Sequence, residues 1–203
     1  MGWAPNYASA EELAEFARIG DLDDDSVLTI AIAAASRAID RTANRQFGRV
    51  DEAVARIYTA SWDRDRCRWC VAVDDIADAA GLLVAFDSAG DESYASTITP
   101  VRLRPVNAAA DGEPWTELLL PTTAAVTAAA DGIRVTALWG WAEVPDAIHQ
   151  AALLQASRFV ARRDSPFGVA GSPDAGSEVR LLARLDADVE VSIGKYKRWW
   201  GAV

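Results

Sequence analysis

Few side chains in this chain could carry chemistry. It has one histidine, His149, and two cysteines, Cys67 and Cys70, among 203 residues. A Ser/His/Asp triad or a histidine-rich metal site would have to be built around His149 alone. This residue lies one helical turn past Pro145 in a helical pattern, where an exposed or hydrogen-bonded histidine is the simpler interpretation. We therefore expect no catalysis through it.

Cys67 and Cys70 form a Cys-x-x-Cys pair, which could be redox-active or supply half of a zinc site. Structural zinc normally takes four ligands, and the sequence has no second cysteine pair. The pair also lies in a strand-like region rather than at the start of a helix. We expect two reduced cysteines flanking Trp69 on a strand.

The acidic run ahead of the second helical segment resembles only the first half of a calcium loop. Asp21, Asp23 and Asp25 occupy alternate positions, as in an EF-hand. However, Ser26 and Ile32 stand where that loop needs glycine and a bidentate glutamate. Negative charge at the positive end of a helix dipole explains the run better.

Asp74 and Asp75 are an adjacent acidic pair that could suggest carboxylate catalysis. Neighbouring strand residues point to opposite faces, so we expect these two to be turn or surface acids. The sequence also lacks the phosphate-loop, dinucleotide, zinc-protease and nucleophile-elbow motifs. We expect a protein that is not an enzyme and has no cofactor or metal.

The composition favours protein partners over nucleic acid. With 30 acidic and 20 basic side chains the net charge is -10, so the average surface repels phosphate backbones. The hydrophobic content of 51% can form a real core, and eight tryptophans are more than core filling usually requires. Neither a signal peptide nor a membrane span is predicted, so we expect no membrane partner.

Helical patterns occupy both ends of the chain. A capping box at Ser9 and Glu12 begins a short helix whose apolar face includes Leu13, Phe16 and Ala17. A second helix runs to about residue 44, and a third from about 145 to 163. Residues 165–177 are predicted to be a linker, 178–185 one more short helix, and Asp186 the cap of a further turn.

The middle of the chain has the period of β-strands. Alternation or apolar runs predict strands at 54–59, 70–73, 81–86, 101–104 and 133–139, with a hairpin turn at 87–91. The predicted fold class is therefore α+β, a small helical bundle formed by the N- and C-terminal parts with a β-rich central insertion. The predicted divisions are residues 1–48 for the N-terminal helices, 49–142 for the insertion, 143–166 for the third bundle helix, and 167–203 for a linker and C-terminal docking arm.

The second helix is apolar over more than one stripe, so it must be covered on two sides. We expect one side to face its own chain and the other to contact another subunit. The residues predicted to lie between subunits are Val27, Ile30, Ala34 and Ala38.

Short structural patterns with no catalytic signature run along nearly the whole chain. They comprise Tyr7, Ala8, Ser9, Glu12, Leu13 and Phe16, the stretch 24–39, Thr42, Asn44, Arg45 and Phe47, then Val73, Asp74, Asp75, Gly81, Leu82, Pro105, 107–112, Pro114, Trp115, Trp141, Val144, Pro145, Ile148, Ala151, Ala152, 163–166, Leu185, Asp186, Val189 and Tyr196. Together these patterns resemble the head-to-tail connector, or adaptor, proteins of long-tailed phages. The central insertion resembles the larger versions found in phages of actinobacteria, and the abundance of Ala and of Arg over Lys indicates a high-GC genome.

The resemblance implies a structural virion protein at the junction of capsid and tail, assembled in the host cytoplasm. It implies a homo-oligomeric ring, a dodecamer, that docks under the portal, extends the DNA channel and offers a surface to the next neck or tail protein. DNA would pass through the lumen without specific binding, which agrees with the acidic balance. The residues predicted to dock on the portal are Lys195, Tyr196, Lys197, Arg198, Trp199 and Trp200.

Two other functions remain open at this point. One is another phage neck component, a stopper or tail-completion protein, although such proteins are generally shorter and mostly β. The other is a terminase small subunit, which would also be helical and ring-forming. The acidic composition and the lack of a basic recognition helix argue against the terminase.

Overall fold

The computed structural model describes residues 3–19, 25–124, 126, 129–163, 169–170, 179–180 and 186–199. These residues contain both helices and an antiparallel sheet, so the predicted α+β class is confirmed. The chain divides into two compact units. The sheet unit comprises Met1–Ala4 and Phe47–Glu143, and the helical unit comprises Pro5–Gln46 and Val144–Val203. Within the described residues, no helix is both long and apolar enough to cross a membrane.

Three helices of the helical unit lie where helical periodicity was found, and a fourth lies where only a further turn after Asp186 was predicted. These are α1 (Ala10–Ala17), α2 (Asp25–Ala43), α3 (Asp146–Arg163) and α4 (Ala187–Gly194). Both halves of the predicted capping box are formed: the Ser9 hydroxyl accepts from the Glu12 backbone N–H, and the Glu12 carboxylate accepts from the Ser9 backbone N–H. Asp186 caps α4 as expected.

Helices α2 and α3 form the centre of this unit, since they contact each other and each also contacts α1 and α4. The inward stripe of α2 includes Leu28, Ile32 and Ala35, which lie in one apolar cluster with Leu13 of α1 and Ala156 of α3. Spacings of three and four residues bring these side chains onto one face of the helix.

A buried polar network fixes the chain ahead of α1 onto α2. The Tyr7 hydroxyl donates to Asp40, whose other carboxylate oxygen lies 2.8 Å from Nε of Arg37. The Tyr7 backbone N–H donates to the Ser36 hydroxyl over 3.0 Å. Burial raises the pKa of Asp40, while its hydrogen bond from Tyr7 and its Arg37 partner oppose that effect. The carboxylate is therefore held in a costly site by specific partners.

The sheet unit forms a seven-stranded antiparallel sheet with a central path in the order β1-β7-β3-β6-β5, and β2 and β4 also pair with β3. Its core includes Val73, Ile76, Val135 and Trp139. The strands are β1 (Val54–Tyr58), β2 (Ser61–Asp63), β3 (Arg68–Phe86), β4 (Ser96–Thr97), β5 (Arg102–Arg104), β6 (Trp115–Leu119) and β7 (Ile133–Trp139).

Strand β3 differs from the prediction, which divided it into two strands separated by surface acids. It is one long strand with irregular register, and Asp75 in its middle is only 4% exposed. The carboxylate of Asp75 accepts a hydrogen bond of 3.1 Å from the indole N–H of Trp141. The expectation of a surface position for Asp75 was wrong because a partner distant in sequence satisfies this carboxylate inside the fold.

The prediction of a short helix at 178–185 was also wrong for the two residues of that range that the structure describes. Val179 and Arg180 form strand β9, which pairs antiparallel with β8 (Val169–Ala170). The remaining residues of that predicted helix lie outside the described residues.

An arginine held between two indoles joins the chain start to the sheet unit. The Arg56 guanidinium lies 4.8 Å from the ring centroids of both Trp3 and Trp139, and 2.6 Å from a carboxylate oxygen of Asp74. The Tyr58 hydroxyl donates to the same oxygen, and its pKa is raised by burial and then by the Asp74 charge. Asp74 is therefore half-buried and paired rather than a free surface acid.

The two ends of the sheet unit are bonded to each other. Arg49 and Gly140 form an isolated β-bridge, and the Trp141 backbone N–H donates to the Gly48 carbonyl over 3.0 Å. Gly140 has a φ of 114°, and a Cβ there would lie 1.9 Å from that carbonyl oxygen. Only glycine fits this close approach of two backbone segments.

Candidate functional site

The histidine lies at the surface of the helical unit, beside a carboxylate of α1. Nε2 of His149 is 3.3 Å from a carboxylate oxygen of Glu12, and both side chains are partly exposed. The pKa of Glu12 is lowered first by the hydrogen bond from the Ser9 backbone N–H and then by His149. In the described part of the chain, no group of three or more His, Cys, Asp or Glu side chains could hold a metal ion.

The two cysteines are free, but they do not share one environment. Cys67 is exposed in the turn between β2 and β3, with a φ of 49°. Cys70 is buried on β3, and that burial raises the pKa of its thiol. A raised thiol pKa leaves little reactive thiolate at neutral pH. The prediction that both cysteines lie on a strand was therefore wrong for Cys67, which lies in a turn.

The structure brings the four predicted inter-subunit residues onto one side of α2. Ile30 is 68% exposed and Ala34 is also exposed, whereas Val27 and Ala38 are half-buried. Their spacing continues to Arg41, which is exposed one turn farther along. We call Val27, Ile30, Ala34, Ala38 and Arg41 the outer stripe of α2. An isoleucine this exposed in the middle of a long helix is a candidate contact surface.

Hydrogen bonds to the backbone of residues 195–198 hold the C-terminal segment against the rest of the helical unit. The exposed Trp199 follows this segment. The Arg198 backbone N–H donates to the Ala43 carbonyl at the end of α2 over 2.8 Å. An Arg45 guanidinium N–H donates to the Tyr196 carbonyl over 3.3 Å, and Lys197 pairs with Glu190 over 3.4 Å.

The aromatic side chains of this segment have different environments. Tyr196 is half-buried, with Nζ of Lys195 lying 5.6 Å from its ring centroid. Trp199 is 88% exposed, and Trp200 lies outside the described residues. Residues 195–198 therefore form a fixed basic surface that presents one indole to solvent.

Sequence reasoning missed an apolar groove on the helical unit. Phe16 was expected on the inner face of α1, but it is 51% exposed and forms one wall of a 430 Å³ cavity between α1 and α3. The other lining residues are His149, Gln150, Leu153 and Leu154 of α3. The groove is open to solvent, and its apolar wall is wide enough to accept a side chain from another protein.

The sheet unit also exposes apolar residues. Ile57 on β1 pairs with Arg134 on β7, which pairs with Ala85 on β3, so these three share one face of the sheet. Leu83, two residues before Ala85, shares that face, and it is exposed like Ile57. Trp62 on β2 is about half exposed and makes an edge contact with Trp69, with 5.4 Å between ring centroids. Ile57 and Leu83 are a second candidate contact surface, whereas Trp62 lies on the other face of the sheet, because its partner Trp69 packs against the core.

Comparison with known proteins gives a match at the level of structure. No protein-family model matches the chain, and no curated protein matches it either. Among solved structures, it is similar to a chain in the neck of an empty GTA particle computed with C6 symmetry, with a TM-score of 0.55 and 17% identity. The match covers 100% of this chain and 96% of that chain. The two chains share a fold. The similarity spans the helical unit and the sheet unit alike.

Proposed function

We propose that this chain is a structural virion protein, the subunit of a head-to-tail connector, or adaptor, ring. The ring docks under the portal, extends the DNA channel and provides the attachment surface for the next neck or tail protein. The observation that carries the proposal is the similarity in fold, over the whole chain, to a chain in the neck of a GTA particle. The sequence resemblance to adaptor proteins supports it independently.

The outer stripe of α2 supports a ring. A subunit of a cyclic ring needs apolar surface beyond its own core, because each copy must contact two neighbours. Ile30 and Ala34 supply such a surface on a helix whose opposite face is fully buried. We propose twelve copies, a number compatible with the C6 symmetry of the similar neck.

The charge of the chain supports a role in which DNA passes without being held. The excess of acidic side chains gives a net charge of -10, which repels the phosphate backbone on average. Because of this repulsion, DNA can pass through a lumen lined by such subunits without binding to it. We propose that the protein catalyses no reaction and needs no cofactor.

The segment 195–200 is the proposed portal contact. Trp199 is almost fully exposed beside Lys195, Lys197 and Arg198. A tryptophan buried at an interface centre contributes on the order of 2 kcal/mol or more, and basic neighbours favour an acidic partner surface. The sheet unit, with Ile57, Trp62 and Leu83 exposed, is the proposed contact for the neck or tail protein.

Co-expression with the portal protein of the same particle tests the function. We expect the two proteins to purify together and electron microscopy to show a ring of this chain beneath the portal ring. A matched pair of variants sharpens the test: Ile30→Glu on the outer stripe should prevent ring formation, whereas Val191→Glu, at a site that is 80% exposed on α4, should not. If the chain were found only on the tail side of the neck, without contact to the portal, it would instead be a stopper or tail-completion protein. Tight binding to DNA in a gel-shift assay at low salt would indicate a terminase subunit.

A further inference from the structure

We propose that the groove between α1 and α3 is the receptor for the outer stripe of α2 of a second copy. This inference rests on the proposed ring and names the two surfaces that would form its repeating contact. Ile30 of one subunit enters the groove, between Phe16 and Leu154 of the next. The groove and the stripe are both on the helical unit.

The two surfaces lie on opposite sides of that unit. Helices α1, α2 and α3 contact one another pairwise. When three helices pack in this way, the groove between two of them opens away from the third. The groove is lined only by residues of α1 and α3, so it faces away from α2, whose own outer stripe points the other way. One copy can therefore hold a neighbour on each side.

The shapes of the two surfaces are complementary. Ile30 projects from α2 with 68% of its surface exposed, and its neighbours along the stripe include the small residues Ala34 and Ala38. Small residues beside a projecting side chain let helices approach to about 8–10 Å between axes. The 430 Å³ groove has apolar walls from Phe16 and Leu154 that match this side chain.

The charges of the two surfaces are also complementary. Helix α1, which forms one wall of the groove, has exposed carboxylates at Glu11, Glu12 and Glu15. The outer stripe of α2 ends at Arg41, which is exposed at the basic end of that helix. Packing the stripe against α1 therefore directs the basic end of α2 toward an acidic helix, which favours one orientation of the two copies.

The contact differs in type from a two-fold dimer contact. Its two halves are different surfaces of the same chain, so it is heterologous, and repeated addition gives a closed ring when the rotation between neighbours closes. A self-complementary pairing of two α2 stripes would stop at a dimer.

Cross-linking between two single-cysteine variants tests this pairing without altering Ile30 or the apolar groove residues Phe16 and Leu154. Ala34→Cys lies on the outer stripe beside Ile30, and Gln150→Cys lies on the exposed rim of the groove. Both are made in a full chain with Cys67→Ser, because Cys67 is exposed while Cys70 is buried. A short bis-maleimide should link the two variants only when they are mixed, and each variant alone should remain unlinked.

Three results would overturn the proposal in distinguishable ways. Rings seen by electron microscopy without a mixed cross-link would refute the groove pairing and leave the ring function standing. A chain that forms no ring with or without portal would refute the ring function and the pairing together. Efficient linking of Ala34→Cys to itself would show a self-complementary stripe contact instead. As a control, Val191→Cys on α4 should not link to Gln150→Cys, and adding Ile30→Glu to the Ala34→Cys chain should abolish the mixed product.

Discussion

Two isoleucines on α2 offer a direct test of how this helix divides its surface between folding and assembly. Ile32 is fully buried against its own chain, whereas Ile30, two residues earlier, is 68% exposed. Each is changed separately to alanine, which keeps the helix and removes the same atoms. We expect Ile32→Ala to lower the free energy of unfolding by about 2–5 kcal/mol, and Ile30→Ala to change it by less than about 0.5 kcal/mol.

The effect on assembly should be reversed. Fully burying an isoleucine side chain contributes about 1.5–3 kcal/mol. Since 68% of Ile30 is still exposed in the subunit, a neighbour can bury about two thirds of that value, or about 1–2 kcal/mol per contact. Ile30→Ala should therefore weaken each subunit contact roughly 5- to 30-fold.

Urea denaturation measures the first quantity, and sedimentation equilibrium over a range of concentrations measures the second. Val191→Ala on α4 is the control for removing an exposed branched side chain, and it should alter neither quantity. The reasoning is refuted if Ile30→Ala unfolds as easily as Ile32→Ala, or if it associates as tightly as the unmodified chain.

Three further outcomes are expected. Trp199→Ala should leave the melting temperature unchanged, because the side chain is 88% exposed, but should weaken portal binding by about 2 kcal/mol in a titration. Glu12→Gln keeps the capping box but removes the negative charge. The hydrogen bond from the Ser9 backbone lowers the pKa of Glu12 in the folded protein. The charge of Glu12 therefore stabilises the fold above the ordinary glutamate pKa of about 4.3, and this stabilisation is lost as the pH falls through the lowered pKa. Denaturant titrations between pH 7 and pH 3 should therefore show a shallower loss of stability for Glu12→Gln than for the unmodified chain. Trp141→Phe removes the 3.1 Å hydrogen bond to the buried Asp75 and should lower the free energy of unfolding by about 1–3 kcal/mol in denaturant titrations.

Each of these predictions can fail clearly. A lower melting temperature for Trp199→Ala than for the unmodified chain would mean that the indole stabilises the fold of its own subunit. Equal acid sensitivity of Glu12→Gln and the unmodified chain would remove the role given to the Glu12 charge. A Trp141→Phe protein as stable as the parent would mean that Asp75 does not depend on the indole.

Local signals were sufficient to predict α1, α2 and α3, but not the C-terminal elements, where the helix predicted at 178–185 was wrong. The capping box at Ser9 and the apolar spacing of α2 depend on residues close together in sequence, and α2 is observed at Asp25–Ala43 where a helix to about residue 44 was predicted. The excess apolar surface of α2 also predicted that one stripe would stay uncovered. Ile30 is exposed accordingly, while its contact with a neighbour stays a prediction.

Features that depend on distant residues were not predictable in the same way. Asp75 was read as a surface acid because its partner, Trp141, is 66 positions away along the chain. Strand β6 at Trp115–Leu119 was not predicted, although it pairs with β3 and β5. The groove at Phe16 exists because α1 and α3 leave a space beside each other, which no periodicity within one helix reveals.

The bonded ends of the sheet unit have a consequence for the order of folding. Helices α2 and α3 contact each other although the whole sheet unit separates them along the chain. Closing such a long loop from an unfolded chain is slow, since chain entropy must be lost before any contact forms. Once Gly48 and Trp141 are joined, the path from the end of α2 to the start of α3 runs only through residues 44–48 and 141–145. If the sheet forms first, the contacts between α2 and α3 become local ones, and we expect formation of the strands to limit the rate at which the helical unit folds.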